Sequence, residues 1–145
     1  MRHAKAAALL LLSLCVIGAG TGQVRGQTAA TSTSHHAVPR DTETRVGSQG
    51  MWKKYGNSTS CMTNFLPTLQ LITPPTHGTV RFATGDVLPD GSGCSAPFSG
   101  TVVWYRPNPG FVGDDQFTYQ NQADPMAMNR VGPAGLLRTV IVTVK

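Results

Sequence analysis

The chain has 145 residues, 40% of them hydrophobic, and a formal charge of +5, which suits one domain with a core of its own. Twelve basic residues stand against seven acidic ones, with no basic run longer than Lys53-Lys54, and this excludes a nucleic-acid partner held by a charged patch. No nucleophile–base pair, phosphate-cradling glycine loop or cluster with metal-ligand spacing occurs in the sequence, so it argues against an enzyme, a cofactor or a resident metal.

Residues 1–22 read as a secretory signal. Arg2, His3 and Lys5 form a short positive region, residues 6–17 an apolar run too short to span a bilayer, and Gly18, Ala19, Gly20, Thr21 and Gly22 a small-residue cleavage region. Removal takes away Arg2 and Lys5 and leaves ten basic against seven acidic residues, roughly +3, with no transmembrane segment. The bulky Leu14 immediately before Cys15 argues against lipid attachment at that cysteine. Residues 23–45 are rich in Thr, Ser, Ala and Gly and predict a disordered leader, because so few apolar side chains cannot offset the entropy of ordering it. His35 and His36 within it read as a solvated pair rather than a metal site.

From Val46 the composition changes, and the folded domain is predicted over residues 46–145. Met51, Trp52 and Tyr55 bring apolar bulk to a first edge strand, guarded from intermolecular pairing by Lys53-Lys54. Asn57-Ser58-Thr59 fits the glycosylation acceptor pattern, a common chance match. Cys61 and Cys94 are the cysteines left after signal removal, and in an exported chain they predict a disulfide. The closed loop of about 34 residues corresponds to roughly 4 kcal/mol in the chain-entropy model. Residues 66–72 form a strand with Leu69 and Leu71 on one face, ended by Pro74-Pro75. Thr76-His77-Gly78 makes a turn, in which His77 is a turn residue rather than an acid–base group. In the strand 79–82, Val80 and Phe82 point inward and Arg81 outward. Residues 84–99 predict a long loop, and its Asp86 and Asp90-Gly91 lack the alternating oxygens of a calcium loop.

The stretch 101–119 organises the rest. Val102 and Trp104 fall on one face of a strand, Val103 and Tyr105 on the other. Pro107, Pro109, Gly110 and Gly113 turn the chain, after which Asp115, Phe117 and Tyr119 alternate with Gln116, Thr118 and Gln120. The Asp115 carboxylate is placed to accept backbone N–H bonds across this corner. The Tyr119 phenol has the spacing of a tyrosine corner, and Trp104 and Phe117 are the leading core residues. Residues 121–135 make a long connection whose Met126, Met128 and Arg130 are candidate binding-loop residues. In the closing strand, Val140, Val142 and Val144 face inward.

The run Tyr105-x-Pro107, Gly110-Phe111, Gly113-x-Asp115-x-Phe117-x-Tyr119 resembles the signature of bacterial immunoglobulin-like and cadherin-like repeat domains. Residues 75–80 resemble the turn and strand that precede it, so the resemblance covers about residues 65–145. It implies an all-β, immunoglobulin-like Greek-key sandwich of about seven strands. Gly78, Trp104, Tyr105, Pro107, Gly110, Phe111, Gly113, Asp115, Phe117 and Tyr119 would then be fold residues. It further implies an exported module, secreted or periplasmic, with a binding or structural role at the cell envelope and no catalytic activity. Loops 84–99 and 121–135 would make the contacts, and the partner would be an envelope protein or a polysaccharide. The alternative is a small periplasmic copper protein using His35, His36, Met126 and Met128, since thioethers favour Cu(I).

Overall fold

The computed structural model describes residues 31–122, except 55, 57 and 58, together with 136–145. The signal region, residues 23–30, Tyr55, Asn57-Ser58 and the candidate residues Met126, Met128 and Arg130 lie outside the described residues. All regular structure described is β, in nine strands. These are β1 Thr31–Val38, β2 Thr44–Gln49, β3 Met51–Lys54, β4 Cys61–Phe65, β5 Leu69–Thr73, β6 Gly78–Val87, β7 Phe98–Pro107, β8 Gly113–Asn121 and β9 Leu137–Val144.

Seven of them build a sandwich. One sheet has the order β1-β9-β8-β5 and the other β2-β7-β6, while β3 and β4 form a separate two-stranded ribbon. All pairs are antiparallel except β1 with β9. The inward faces follow the period of two that a strand imposes. Val140, Val142 and Val144 of β9, Phe117 and Tyr119 of β8 and Leu69 of β5 meet Val46 of β2 and Val103 and Tyr105 of β7 in one buried cluster. Phe117 and Tyr105 are both fully buried and stack with ring centroids 6.1 Å apart.

The first correction concerns the leader. Residues 31–38, read as part of a disordered leader, form a strand, as do residues 44–49 across the expected domain boundary, so the folded body includes Thr31–Val38 and does not begin at Val46. Composition missed this because an edge strand is held by ladder hydrogen bonds and needs few apolar anchors. Here one each suffices: Val38 and Val46 are both 1% exposed. The turn between them is pinned by backbone bonds Lys145 N–H to Val38 O (3.0 Å) and Arg40 N–H to Lys145 O (2.8 Å), and by Gly110 N–H to the Asp41 carboxylate (2.7 Å).

The second concerns Trp104. It is only partly buried and does not join Phe117. Its parity puts it with Val102 on the opposite face of β7, over a smaller cluster of Val87, Phe98 and Val102, with the Arg81 guanidinium 5.6 Å from the centre of its ring. Tyr105 takes the central place instead. The third concerns the 84–99 loop. β6 and β7 pair without interruption from Gly78–Pro107 to Val87–Phe98, which leaves only residues 88–97 as loop.

Cys61 and Cys94 form the disulfide, with Cα atoms 5.5 Å apart. It ties the β3–β4 ribbon to the loop 88–97, beside the Thr63 hydroxyl bond to Ser99 O (2.8 Å) and the Ser95 N–H bond to Thr59 O (2.8 Å). The ribbon thereby covers the smaller cluster, with Trp52 packed on Phe98 at 5.5 Å between ring centroids. No helix among the described residues is long and apolar enough to cross a membrane.

Candidate functional site

Among the described residues, two surface depressions hold chemistry-bearing side chains. The first lies at the corner between β7 and β8. The buried Asp115 carboxylate accepts four hydrogen bonds: Thr76 N–H at 2.9 Å, His77 N–H at 2.8 Å, the Tyr105 hydroxyl at 2.9 Å and Gln116 N–H at 2.9 Å. Burial alone raises the carboxyl's pKa, but the bonds from Thr76, His77, Tyr105 and Gln116 outweigh it and hold the group below its ordinary value. Tyr105 moves the other way, raised by burial and then by the Asp115 carboxylate it bonds. Gly78 allows the approach, since a Cβ there would meet Tyr105 Cε2 at 2.5 Å and Arg106 O at 2.7 Å. His77 is held by its backbone and stacks flat on Phe111, centroids 4.3 Å apart.

A pocket of about 270 Å³ opens over this corner, between His77, Asp114, Gln116 and Ile141. Its carboxylates are already engaged: Asp115 as above, and Asp114 by the Thr143 hydroxyl at 2.8 Å. A carboxylate with its lone pairs taken by main-chain donors is a poor base and a poor metal ligand, so the corner is a brace. The phenol that makes this brace is Tyr105, whereas the tyrosine-corner spacing points to Tyr119. Among the described residues no group of three or more His, Cys, Asp or Glu is placed to hold a metal ion.

The second depression is a cleft of about 220 Å³ between the edge strands β1 and β2, where the two sheets part. Ser32, Ser34 and His36 share the parity of buried Val38 and therefore line it from β1. Val46, Gly47, Ser48 and Gln49 line it from β2, and Tyr119 and Arg138 close it from below. Gly47 leaves room for the Tyr119 phenol, because a Cβ there would sit 3.1 Å from the hydroxyl oxygen. Burial raises the Tyr119 pKa, against the opposing pull of the Arg138 charge and a hydrogen bond with Gln49.

The electrostatics of the cleft are one-sided. No acidic residue lines it among the described residues. The Arg138 Nε is buried and has no hydrogen-bond partner, and Arg138 forms no ion pair among the described residues. His36 Nε2 lies 3.2 Å from the Ser34 hydroxyl. Burial, and then the neighbouring His35, lower the His36 pKa and favour the neutral ring at pH 7. His35, one residue away on the strand, projects from the opposite face of β1 and is exposed. The two imidazoles therefore do not converge on one ion.

Sequence reading placed the binding surface on loops and missed this cleft. The signal was present in the parity of β9: Arg138 has the same parity as Val140, Val142 and Val144, so an arginine is built into an inward-facing row. Ser32, Ser34 and His36 likewise precede Val38 at alternate positions. Both clues require β1 to be recognised as a strand. No family model matches the chain, and no curated protein or solved structure matches it.

Proposed function

We propose that the protein is an exported immunoglobulin-like module that binds a component of the cell envelope and performs no catalysis. The strand order supports the immunoglobulin-like reading. With the β3–β4 ribbon set aside and the strands lettered in chain order, the sheets read B-E-D and A-G-F-C, which share the B-E-D and G-F-C rows of the immunoglobulin sandwich but carry strand A on the other sheet. The Cys61–Cys94 bridge supports life in an oxidising compartment, periplasmic or extracellular, in line with the apolar N-terminal segment. The observation that carries the binding role is the cleft between β1 and β2, into which Arg138 brings a buried Nε with no hydrogen-bond partner among the described residues. A buried donor left unmade is costly to a fold, and a ligand is one way to complete it.

The test is capture. Immobilised, oxidised protein should retain one component of a cell-envelope fraction, a protein or a polysaccharide. Ser34→Trp fills the cleft from an edge strand without touching the core, and recovery should fall at least about tenfold, a difference of roughly 1.4 kcal/mol in binding. Equal recovery on both proteins, or retention of nothing by either, overturns the reading.

A further inference from the structure

We infer that the β1–β2 cleft recognises a single acidic sugar residue, with Arg138 receiving the carboxylate and the cleft's hydroxyl and amide groups receiving the ring hydroxyls. This rests on the binding role proposed above and names the ligand class for the same cleft.

The described arginines are not alike. Arg81 makes a two-pronged pair with Glu43 (2.8 and 3.1 Å), Arg40 lies 3.4 Å from the Asp41 carboxylate, and Arg45 donates to Asp86 O at 3.0 Å. Those three are exposed to solvent, as is Arg106, where water serves as acceptor. Arg138, the one set on the inward parity of β9, has a buried Nε without a hydrogen-bond partner and no ion pair among the described residues. A guanidinium stays charged at any pH the protein meets, so partly burying it without a counter-ion costs some of its hydration. Its planar fork matches a carboxylate in two parallel hydrogen bonds.

Charge selects among anions. Among the described residues the cleft offers one permanent cation and a histidine whose burial favours the neutral ring, with no acidic residue in the lining. This balances a monoanion. A phosphate dianion would call for a second cation, and the described lining supplies none. Size selects as well: 220 Å³ is below the roughly 300–1,000 Å³ of pockets that hold drug-sized molecules, and admits one ring rather than an extended segment. The remaining groups, Ser32, Ser34, His36, Gln49 and Tyr119, are hydroxyls, an imidazole and an amide, each able to donate and accept. Such a lining suits a polyhydroxylated ring better than an apolar side chain.

The experiment is an NMR or calorimetric titration of the whole oxidised protein with D-glucuronate, D-glucose, inorganic phosphate and acetylglycine. Glucuronate should bind saturably with a Kd of about 1 mM, in the range expected of a single-ring ligand, and glucose at least about tenfold more weakly. Arg138→Gln, checked for an unchanged circular dichroism spectrum, should lose the preference for glucuronate over glucose, while Ser34→Trp should bind neither. Equal affinity for glucose and glucuronate, an Arg138→Gln protein that keeps the preference, or tighter binding of phosphate or acetylglycine overturns the inference. If the envelope component is still captured through the cleft while glucuronate fails to bind, the binding role stands and the acidic-sugar assignment falls. If neither occurs, both fall.

Discussion

Asp115→Ala should remove about 4–6 kcal/mol of folding stability, because it strands buried donors that cost roughly 1–3 kcal/mol each when unmade. The carboxylate is the common acceptor for Thr76 N–H, His77 N–H, Gln116 N–H and the Tyr105 hydroxyl, and the residue is 7% exposed. Of these donors the Tyr105 hydroxyl has a second acceptor at the corner, His77 O at 3.4 Å. A domain of this size has about 5–15 kcal/mol in hand, so the variant should be largely unfolded in mild urea. Asp115→Asn keeps one oxygen acceptor and should lose less, about 2–4 kcal/mol. The same group sets an acid limb. Its pKa in the folded protein is below the ordinary value, so its stabilisation is complete above the unfolded-state value of about 4 and is lost as pH falls through the folded value. Equilibrium urea titrations between pH 2 and 7 check both points: the wild-type midpoint should drop on acidification, and that of Asp115→Asn should drop less.

Phe117→Ala should cost about 3–5 kcal/mol, whereas Trp104→Ala should cost less than about 2 kcal/mol despite the larger ring. Phe117 is fully buried between Tyr105 and Tyr119, at 6.1 and 6.2 Å between ring centroids, and its removal leaves a cavity bounded by both sheets. Trp104 lies partly exposed at the side of the smaller cluster, and water can fill the space it leaves. Chemical denaturation of the two variants decides the ranking, and a larger loss for Trp104→Ala would reverse the assignment of the two faces of β7.

That ranking also marks where sequence reading stops. Alternation in 101–119 identified two strands and the corner between them, and the alternating valines of β9 gave its inward face. Alternation gives two faces without saying which is the centre. The larger aromatic ring suggested the Trp104 face, but β7 is covered on both sides, by β8 and β9 across the sandwich and by the disulfide-tethered ribbon on the other flank. The cysteine pair was legible from compartment and count. The strand β1 was not, because seven of its eight residues are polar or small and its order comes from hydrogen bonds to β9, more than a hundred positions away. The cleft was hidden with it: Ser32, Ser34 and His36 in a disordered tail would face nothing.

The functional account therefore depends on β1 being docked, and amide hydrogen exchange measures this directly. At neutral pH, alternate amides in residues 31–38 should exchange at least about a hundredfold more slowly than in an unstructured chain, with Val38, Arg40 and Lys145 protected together as one unit. Exchange of every amide in 31–38 at unstructured-chain rates, with β7, β8 and β9 still protected, would leave Arg138 beside an open sheet edge and remove the cleft.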